Sequence, residues 1–312
     1  MSRIGWCLSL LFLTVAAPAQ AWSTQGHMAT GLIAYDLLTQ RDLAAIEAVE
    51  ALMQNHPDRA RFDSVLAGVD GTDRQRRLFE LIGRWPDDIR HTRYDHKHWH
   101  HQLRVVAGWR LFGGVRLGRA DHAFKRSLAL LRDAKADPAQ RAIALCWLFH
   151  VIGDMHQPLH AGHRMDARFP LTDRAGTIGW VRRAPDASAE TLHHFWDSAA
   201  GFPGDDWAGA DRIAAIARTG PPPEQASVGD PLLVYRDWVR ESEQLASLAY
   251  RGAGFDESRR SATAPTLSPN YVANARMVAE ERLGQAGARL AGVLANLFPP
   301  QPQQSSSATA EN

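Results

Sequence analysis

Sulfur is nearly absent from this chain. Of 312 residues only Cys7 and Cys146 are cysteines. Cys7 falls in an N-terminal leader, so the remaining thiol can form no internal disulfide and builds no sulfur metal cage. Net charge is equally scarce. Lys and Arg number 35 against 34 Asp and Glu, leaving +1, so the broad positive field of a protein that holds polyanions by charge alone is excluded. Any anion must be attracted locally. The apolar stretch Leu8 to Val15 is well short of the roughly 20 residues a spanning helix needs, and no later stretch is long enough. There is no Gly-x-Ser-x-Gly elbow, no His-Glu-x-x-His, no Walker loop and no dinucleotide fingerprint. Gly113, Gly114 and Gly118 are too sparse to mark more than a turn. Alternating strand patterns are few, Thr177-Ile-Gly-Trp-Val-Arg182 being the best and only long enough for a hairpin arm.

What is present is histidine: 14 in all, twelve of them between His91 and His194. The rest of the composition, 45% hydrophobic and 22% charged, is that of a globular protein. Residues 1–21 read as a secretory leader, with Arg3 at its start and Ala19-Gln-Ala21 as a small-x-small cleavage site. The mature chain then begins at Trp22, carries no net charge, and is secreted or periplasmic. Apolar residues recur at helical spacing through Leu32–Leu38, Ala44–Met53, Phe124–Leu131, Ile143–Val151 and Val272–Leu297. The expected fold is mainly α, a single compact multi-helix domain over residues 22–297. Punctuation at Pro170, Gly220-Pro-Pro-Pro223 and Pro265 to Pro269 gives no long linker. From 298 to 312 a Pro/Gln/Ser-rich tail should be disordered. Cys146 lies in an apolar helical run and should be a buried small hydrophobe.

The chemistry concentrates in His150-Val-Ile-Gly-Asp154-Met-His156-Gln-Pro-Leu-His160. On a helix His150 and Asp154, four apart, share a face and could bind one ion. Pro158 should end that helix and could swing His160 back, while His156 points elsewhere and packs. His193 and Asp197 repeat the i, i+4 pair, and with His160 would make a three-ligand site with open positions, the catalytic pattern for zinc. Upstream, Asp87, Asp88 and Arg90 precede His91, His96, His98, His100 and His101. The alternation of His96, His98 and His100 would put all three on one side of an extended segment, whereas a helix would pair only His96 with His100. Spacing alone does not choose the ligand, and a solvated loop accounts for most of these histidines. Imidazole and carboxylate together suit Zn²⁺ and other borderline metals.

Taken in order, Trp22, His27, Trp85-x-Asp87-x-x-Arg90, Trp99-His100, His150-x3-Asp154-x5-His160 and His193-x3-Asp197 resemble the zinc-dependent single-strand-specific nuclease and 3′-nucleotidase family. These are the S-one/P-one nucleases, relatives of the bacterial zinc phospholipases C. The motifs span Trp22 to Asp197, and the last third matches only in being helical. The resemblance implies a helical fold with three Zn²⁺ ions in a cleft. One ion takes Asp87, His100 and His150, and Asp154 bridges it to a second, held by His27 and by the free amine and carbonyl of Trp22. The third takes His160, His193 and Asp197. Asp87 is preferred to Asp88, and His100 to its neighbours, because they occupy the matching motif positions. The implied reaction is attack of a metal-activated hydroxide on phosphorus, with Asp87, Asp154 and Arg90 as catalytic residues and Arg90 neutralising phosphoryl charge. Single-stranded RNA or DNA would yield 5′-phosphorylated products, and 3′-nucleotides would yield nucleoside and phosphate. No obligate protein partner is evident, so a monomer is expected.

Two positions depart from the family pattern. His101, Gln102 and Leu103 stand where an aromatic and an acidic or amide residue usually follow the His100 position. Ala175-Gly176-Thr177 is the nearest match to a usual Gly-Gly-Asn, and a longer loop containing Phe169-Pro170 precedes it. The arginines of this region, Arg164, Arg168, Arg174, Arg182 and Arg183, could track a phosphate backbone or form a solvated face. The alternatives are a zinc-dependent phospholipase C and a non-catalytic zinc-binding protein. Retention of Arg90 beside Asp87 argues against the latter.

Overall fold

Helix after helix in this chain begins at a side chain that caps it. Ser23, Asp42, Asp137 and Ser268 each accept a backbone N–H from the first turn that follows, satisfying donors a helix start leaves orphaned. The computed structural model describes residues 22–109, 116–219, 230–251 and 257–300. The expected leader, the Gly113-Gly114 turn, the Gly220 to Pro223 punctuation and the tail beyond residue 300 lie outside the described residues. The helices are α1 (Thr24–Leu38), α2 (Leu43–Met53), α3 (Arg59–Val65), α4 (Gly71–Asp88), α5 (Ala120–Arg132), α6 (Pro138–Asp154), α7 (Leu192–Asp197), α8 (Asp206–Thr219), α9 (Pro231–Arg251) and α10 (Pro269–Leu297). The strands are short: β1 (Gln102–Gly108), β2 (Leu117–Gly118), β3 (Gly162–Met165), β4 (Trp180–Arg182) and β5 (Ala189–Thr191). The fold is mainly α, as the periodicity predicts.

Helices α1 and α6 are buried along most of their length, which is why their apolar residues spread around the helix instead of forming one stripe. Helix α1 packs on α4, α8 and α10, and α6 packs on α4 and α5. The α1–α4 crossing is close. A Cβ on Gly31 would lie 2.3 Å from the Phe79 carbonyl oxygen, and one on Gly83 would lie 2.6 Å from that of His27. Only glycine fits at either place.

The strands were the less expected part. Strand β1 pairs antiparallel with β2 and parallel with β3, and β4 pairs antiparallel with β5. The predicted arm at 177–182 is therefore real but shorter, Trp180–Arg182. The β1–β3 pair matters more, because β1 follows His100 and β3 follows His160. Parallel pairing, with Arg104 opposite Gly162, brings both histidines to the same end of the sheet. One apolar cluster surrounds α2, α4, α5 and α6; another contains Trp22, Leu103, Leu159, Leu192 and Phe195. His150 and Asp154 adjoin the first, and His160, His193 and Asp197 the second.

His56 sits outside this arrangement, 3% exposed beneath Phe62 and Trp85, with Nδ1 accepting the Asp58 N–H. Burial pushes its pKa from 6.5 down to about 4, so its contribution to stability is complete above pH 6.5 and is lost as pH falls toward 4. At pH 5 the loss is about 2 kcal/mol, or on the order of 5 °C in Tm. The drop in Tm between pH 7.5 and pH 5 should shrink by that amount in His56→Gln. An identical drop would show that His56 already titrates normally.

Candidate metal centre

The last turn of α6 supplies His150 and Asp154, with His150 Nε2 3.2 Å from Asp154 Oδ2. Opposite stands α4, which tolerates Pro86 one residue before Asp87. The carbonyl of Gly83 on this helix lies 2.9 Å from His150 Nδ1. A carbonyl can only accept, so Nδ1 carries a proton and Nε2 is the nitrogen that faces Asp154. His27, in the second turn of α1, stacks on His150 with ring centroids 3.9 Å apart. Its Nε2 is 3.4 Å from Asp154 Oδ1 and 3.9 Å from Asp87 Oδ2. His100 closes the group, its Nδ1 2.8 Å from His150 Nε2 and 3.4 Å from Asp154 Oδ2.

A second group adjoins the first. Helix α6 ends at Asp154, and a 3-10 turn, Pro158–His160, carries His160 back until its Nδ1 is 3.6 Å from Asp154 Oδ1. That Nδ1 also bonds the His100 carbonyl oxygen. His160 and His193 stack, and Asp197 lies 3.8 Å from His160 Nε2 and 3.6 Å from His193 Nε2. Gln157 Nε2 donates to Asp197 Oδ1 at 2.6 Å. Sequence reasoning missed Gln157, although its place between His156 and Pro158 inside the densest motif was a signal.

Among the described residues, three sets of ligand atoms fall within 4.8 Å of one another: His27, Asp87 and His150; His100, His150 and Asp154; and His160, His193 and Asp197. Both Asp154 oxygens, both His27 ring nitrogens, His100 Nε2, His160 Nε2 and Asp197 Oδ2 are buried without a hydrogen-bond partner. Buried polar atoms are otherwise almost always satisfied. So many converging lone pairs fit bound cations, and the His/Asp donor set fits zinc. Burial would raise Asp154, but the facing imidazoles of His150, His160 and His100 hold it well below the usual carboxylate range. Asp87 is lowered too, because His150, His100, His27 and Arg90 outweigh its burial. Asp197 is pushed up by burial more than Gln157 pulls it down. Burial pushes His160 down to about 3 and lowers His27, leaving both neutral, as ligands must be.

The remaining predicted residues surround this core. Trp22 is fully buried; its indole donates to the Gly153 carbonyl at 2.9 Å, and Ser23 N–H bonds Asp197 O at 2.9 Å. Arg90 forks onto Asp87 Oδ1 through Nε and Nη2. Asp88 turns away to Arg84. Residues 89–100 form successive turns, neither the extended run nor the helix considered for the histidines. His91 is exposed, His96 stacks on Trp99, and His98 and His101 reach the cavity wall. His156 is buried, bonded to Ile152 O and Arg289, and belongs to none of the ligand sets.

Above the core opens a cavity of 440 Å³, lined by Arg90, Lys97, Arg174, His98, His101 and Thr177 among others, with no carboxylate among the described residues of its wall. Of the five arginines in the region, Arg174 alone lines it. Arg164 bonds Glu257, Arg168 Asp166, Arg182 the Ala187 carbonyl, and Arg183 Glu190, so a continuous arginine track is not formed.

Helices that deliver histidines and aspartates to a buried, cavity-facing cluster define a candidate metal-binding protein. Comparison with known families makes this specific: the family model described as S1/P1 Nuclease matches residues 22–299, and the chain belongs to that family. It is 29% identical over 188 residues to "Endonuclease 4" of Arabidopsis thaliana, covering 53% of each chain. It is 25% identical over 210 residues to "Endonuclease 1" of the same plant, covering 63% of this chain and 59% of the relative. The chain thus spans little more than half the length of these curated relatives.

Proposed function

We propose that this protein is an exported, monomeric, zinc-dependent phosphodiesterase. It hydrolyses single-stranded RNA or DNA to 5′-phosphorylated products and removes phosphate from 3′-nucleotides. The observation that carries this reading is the buried His/Asp core opening into a cavity whose charged wall residues, Arg90, Lys97 and Arg174, are all cations. A protein without useful net charge thereby gathers positive charge at one place. Family membership and two relatives named endonucleases support the same reading. Residues 22–297 would act as one domain after removal of residues 1–21.

Three zinc ions fit the donors present. Asp87, His100 and His150 would hold one, Asp154 would bridge to another on His27 and Trp22, and His160, His193 and Asp197 would hold the third. Zinc bound there supplies Lewis-acid stabilisation of phosphoryl charge and lowers the pKa of water. The chain's own part is to bind and orient. Lys97 and Arg174 attract the phosphodiester, and Arg90 faces the cavity from beside Asp87, where it can offset charge on the equatorial oxygens. The Gly83, His100 and Ala175 carbonyls hold three imidazoles in one tautomer. The Trp22 amine exists only after cleavage, so retaining one residue before Trp22 should reduce zinc content and activity together.

Arg90→Ala should lower kcat about 100-fold with zinc content unchanged, and loss of zinc from that variant would make Arg90 a support for Asp87 instead. The function itself is tested by zinc stoichiometry on protein beginning at Trp22, beside hydrolysis of single-stranded RNA and DNA, their duplexes, and phosphatidylcholine. About three zinc per chain with 5′-phosphate ends from single strands is the expected result. Phosphocholine release without nucleotide release would overturn it in favour of a phospholipase.

A further inference from the structure

The segment after His160 is one of the two places that depart from the family pattern, and the structure gives it an internal support. Arg164 N–H bonds Asp173 Oδ1 at 2.9 Å, and Asp173 N–H bonds the Arg164 carbonyl at 3.0 Å, so residues 165–172 leave and return through one closed neck. Asp173 is fully buried. Its Oδ1 also accepts the Ala175 N–H at 3.0 Å, and its Oδ2 accepts the Tyr250 hydroxyl at 2.6 Å. Tyr250 comes from α9 and lies under the Arg164 guanidinium, which in turn bonds Glu257 at 2.6 Å.

The next three residues are unusual. Arg174, Ala175 and Gly176 have φ of 53°, 59° and 81°, the left-handed region that L side chains avoid. Two successive non-glycine residues stay there only if neighbours over-determine them. The turn they make points the Ala175 carbonyl at His193 Nδ1, 2.8 Å away, and the Gly176 carbonyl at the His193 N–H. It also sets Arg174, Ala175 and Thr177 on the cavity wall.

From this chain of contacts we infer that Asp173 is a positioning residue for the His160, His193 and Asp197 cluster. By accepting the Ala175 N–H while clamped by Tyr250, it holds the left-handed turn whose carbonyl keeps the His193 proton on Nδ1 and its Nε2 lone pair toward Asp197. The inference rests on the proposed metal reading, but its effect on His193 does not need metal. Glutamine or alanine at an exposed position could not do this; the acceptor must be buried and aimed.

The test compares Asp173→Ala, Asp173→Asn and Tyr250→Phe with Leu131→Ala, a core truncation in α5 that only destabilises. Two properties are read: zinc affinity by titration against a competing chelator, and the His193 tautomer by ¹⁵N NMR of metal-free protein. Asp173→Ala should weaken one of the zinc equivalents about 10- to 100-fold and spare the others, with His193 shifting toward the Nε2–H form. Asp173→Asn keeps an acceptor at Oδ1 and should restore both properties. Tyr250→Phe should move both in the direction of the alanine variant by a smaller amount, and Leu131→Ala should move neither. Should Asp173→Ala fail to fold, Tyr250→Phe decides. Wild-type affinity and tautomer in folded Asp173→Ala, or in Tyr250→Phe where the alanine variant does not fold, would overturn the inference. If wild-type protein binds no zinc, the metal reading fails, and the tautomer alone judges Asp173.

Discussion

Stripping divalent metal with a chelator should abolish hydrolysis and lower Tm by on the order of 20 °C. The size follows from linkage. An ion present at a thousand times its Kd stabilises the native state by about 4 kcal/mol, and three such ions by about 12. For a chain of this length each kcal/mol moves Tm by roughly 2 °C. The physical cause is visible at Asp154, 0% exposed with neither oxygen hydrogen-bonded. Without a cation, that carboxylate, both ring nitrogens of His27 and the Nε2 of His160 are desolvated with nothing to satisfy them. Differential scanning calorimetry with and without chelator, followed by re-addition of zinc, measures the effect. Melting that is unchanged by the chelator would mean that the core is stable with its lone pairs unpaired, and the three-zinc reading would fall.

The parts of this molecule that sequence makes legible are those governed by local rules. Helical spacing marks α1, α2, α5, α6 and α10 because each must bury apolar residues one turn apart. The i, i+4 pairs His150/Asp154 and His193/Asp197 stand out for the same reason, and Pro158 announces the end of α6. Helix α4 is less legible, since Pro86 interrupts the pattern one residue before Asp87. Strands β1 and β3 escape notice because their pairing is non-local, joining residues some sixty apart. Spacing does not choose His100 over His98 or His101; its match to the family motif does. Gln157, Asp173 and Tyr250 act through hydrogen bonds to other residues, and no spacing rule points to such supports.

Asp154→Asn should have the largest effect of any single substitution in the core. Asp154 reaches His27, His100, His150 and His160 within 3.2–3.6 Å, so its carboxylate faces both neighbouring groups of ligands. Asparagine has the same shape but no charge, and it replaces one acceptor oxygen with an NH₂ that can only donate. Two of its four facing nitrogens would then meet a donor where they meet a carboxylate now. Breaking a buried charge pair on one side costs about 3–5 kcal/mol, which corresponds to a loss of roughly 10²- to 10⁴-fold in kcat/KM if felt in the transition state. Zinc content should fall with it, leaving the ion of the His160, His193 and Asp197 set. Asp88→Asn is the matched control, because Asp88 pairs with Arg84 away from the core, where a partly exposed pair is worth about 0–1 kcal/mol. Its activity and zinc content should stay near wild type. If Asp154→Asn kept its zinc and a tenth of the activity, Asp154 would not be the bridge; if Asp88→Asn lost more, the carboxylates of α4 would have to be reassigned.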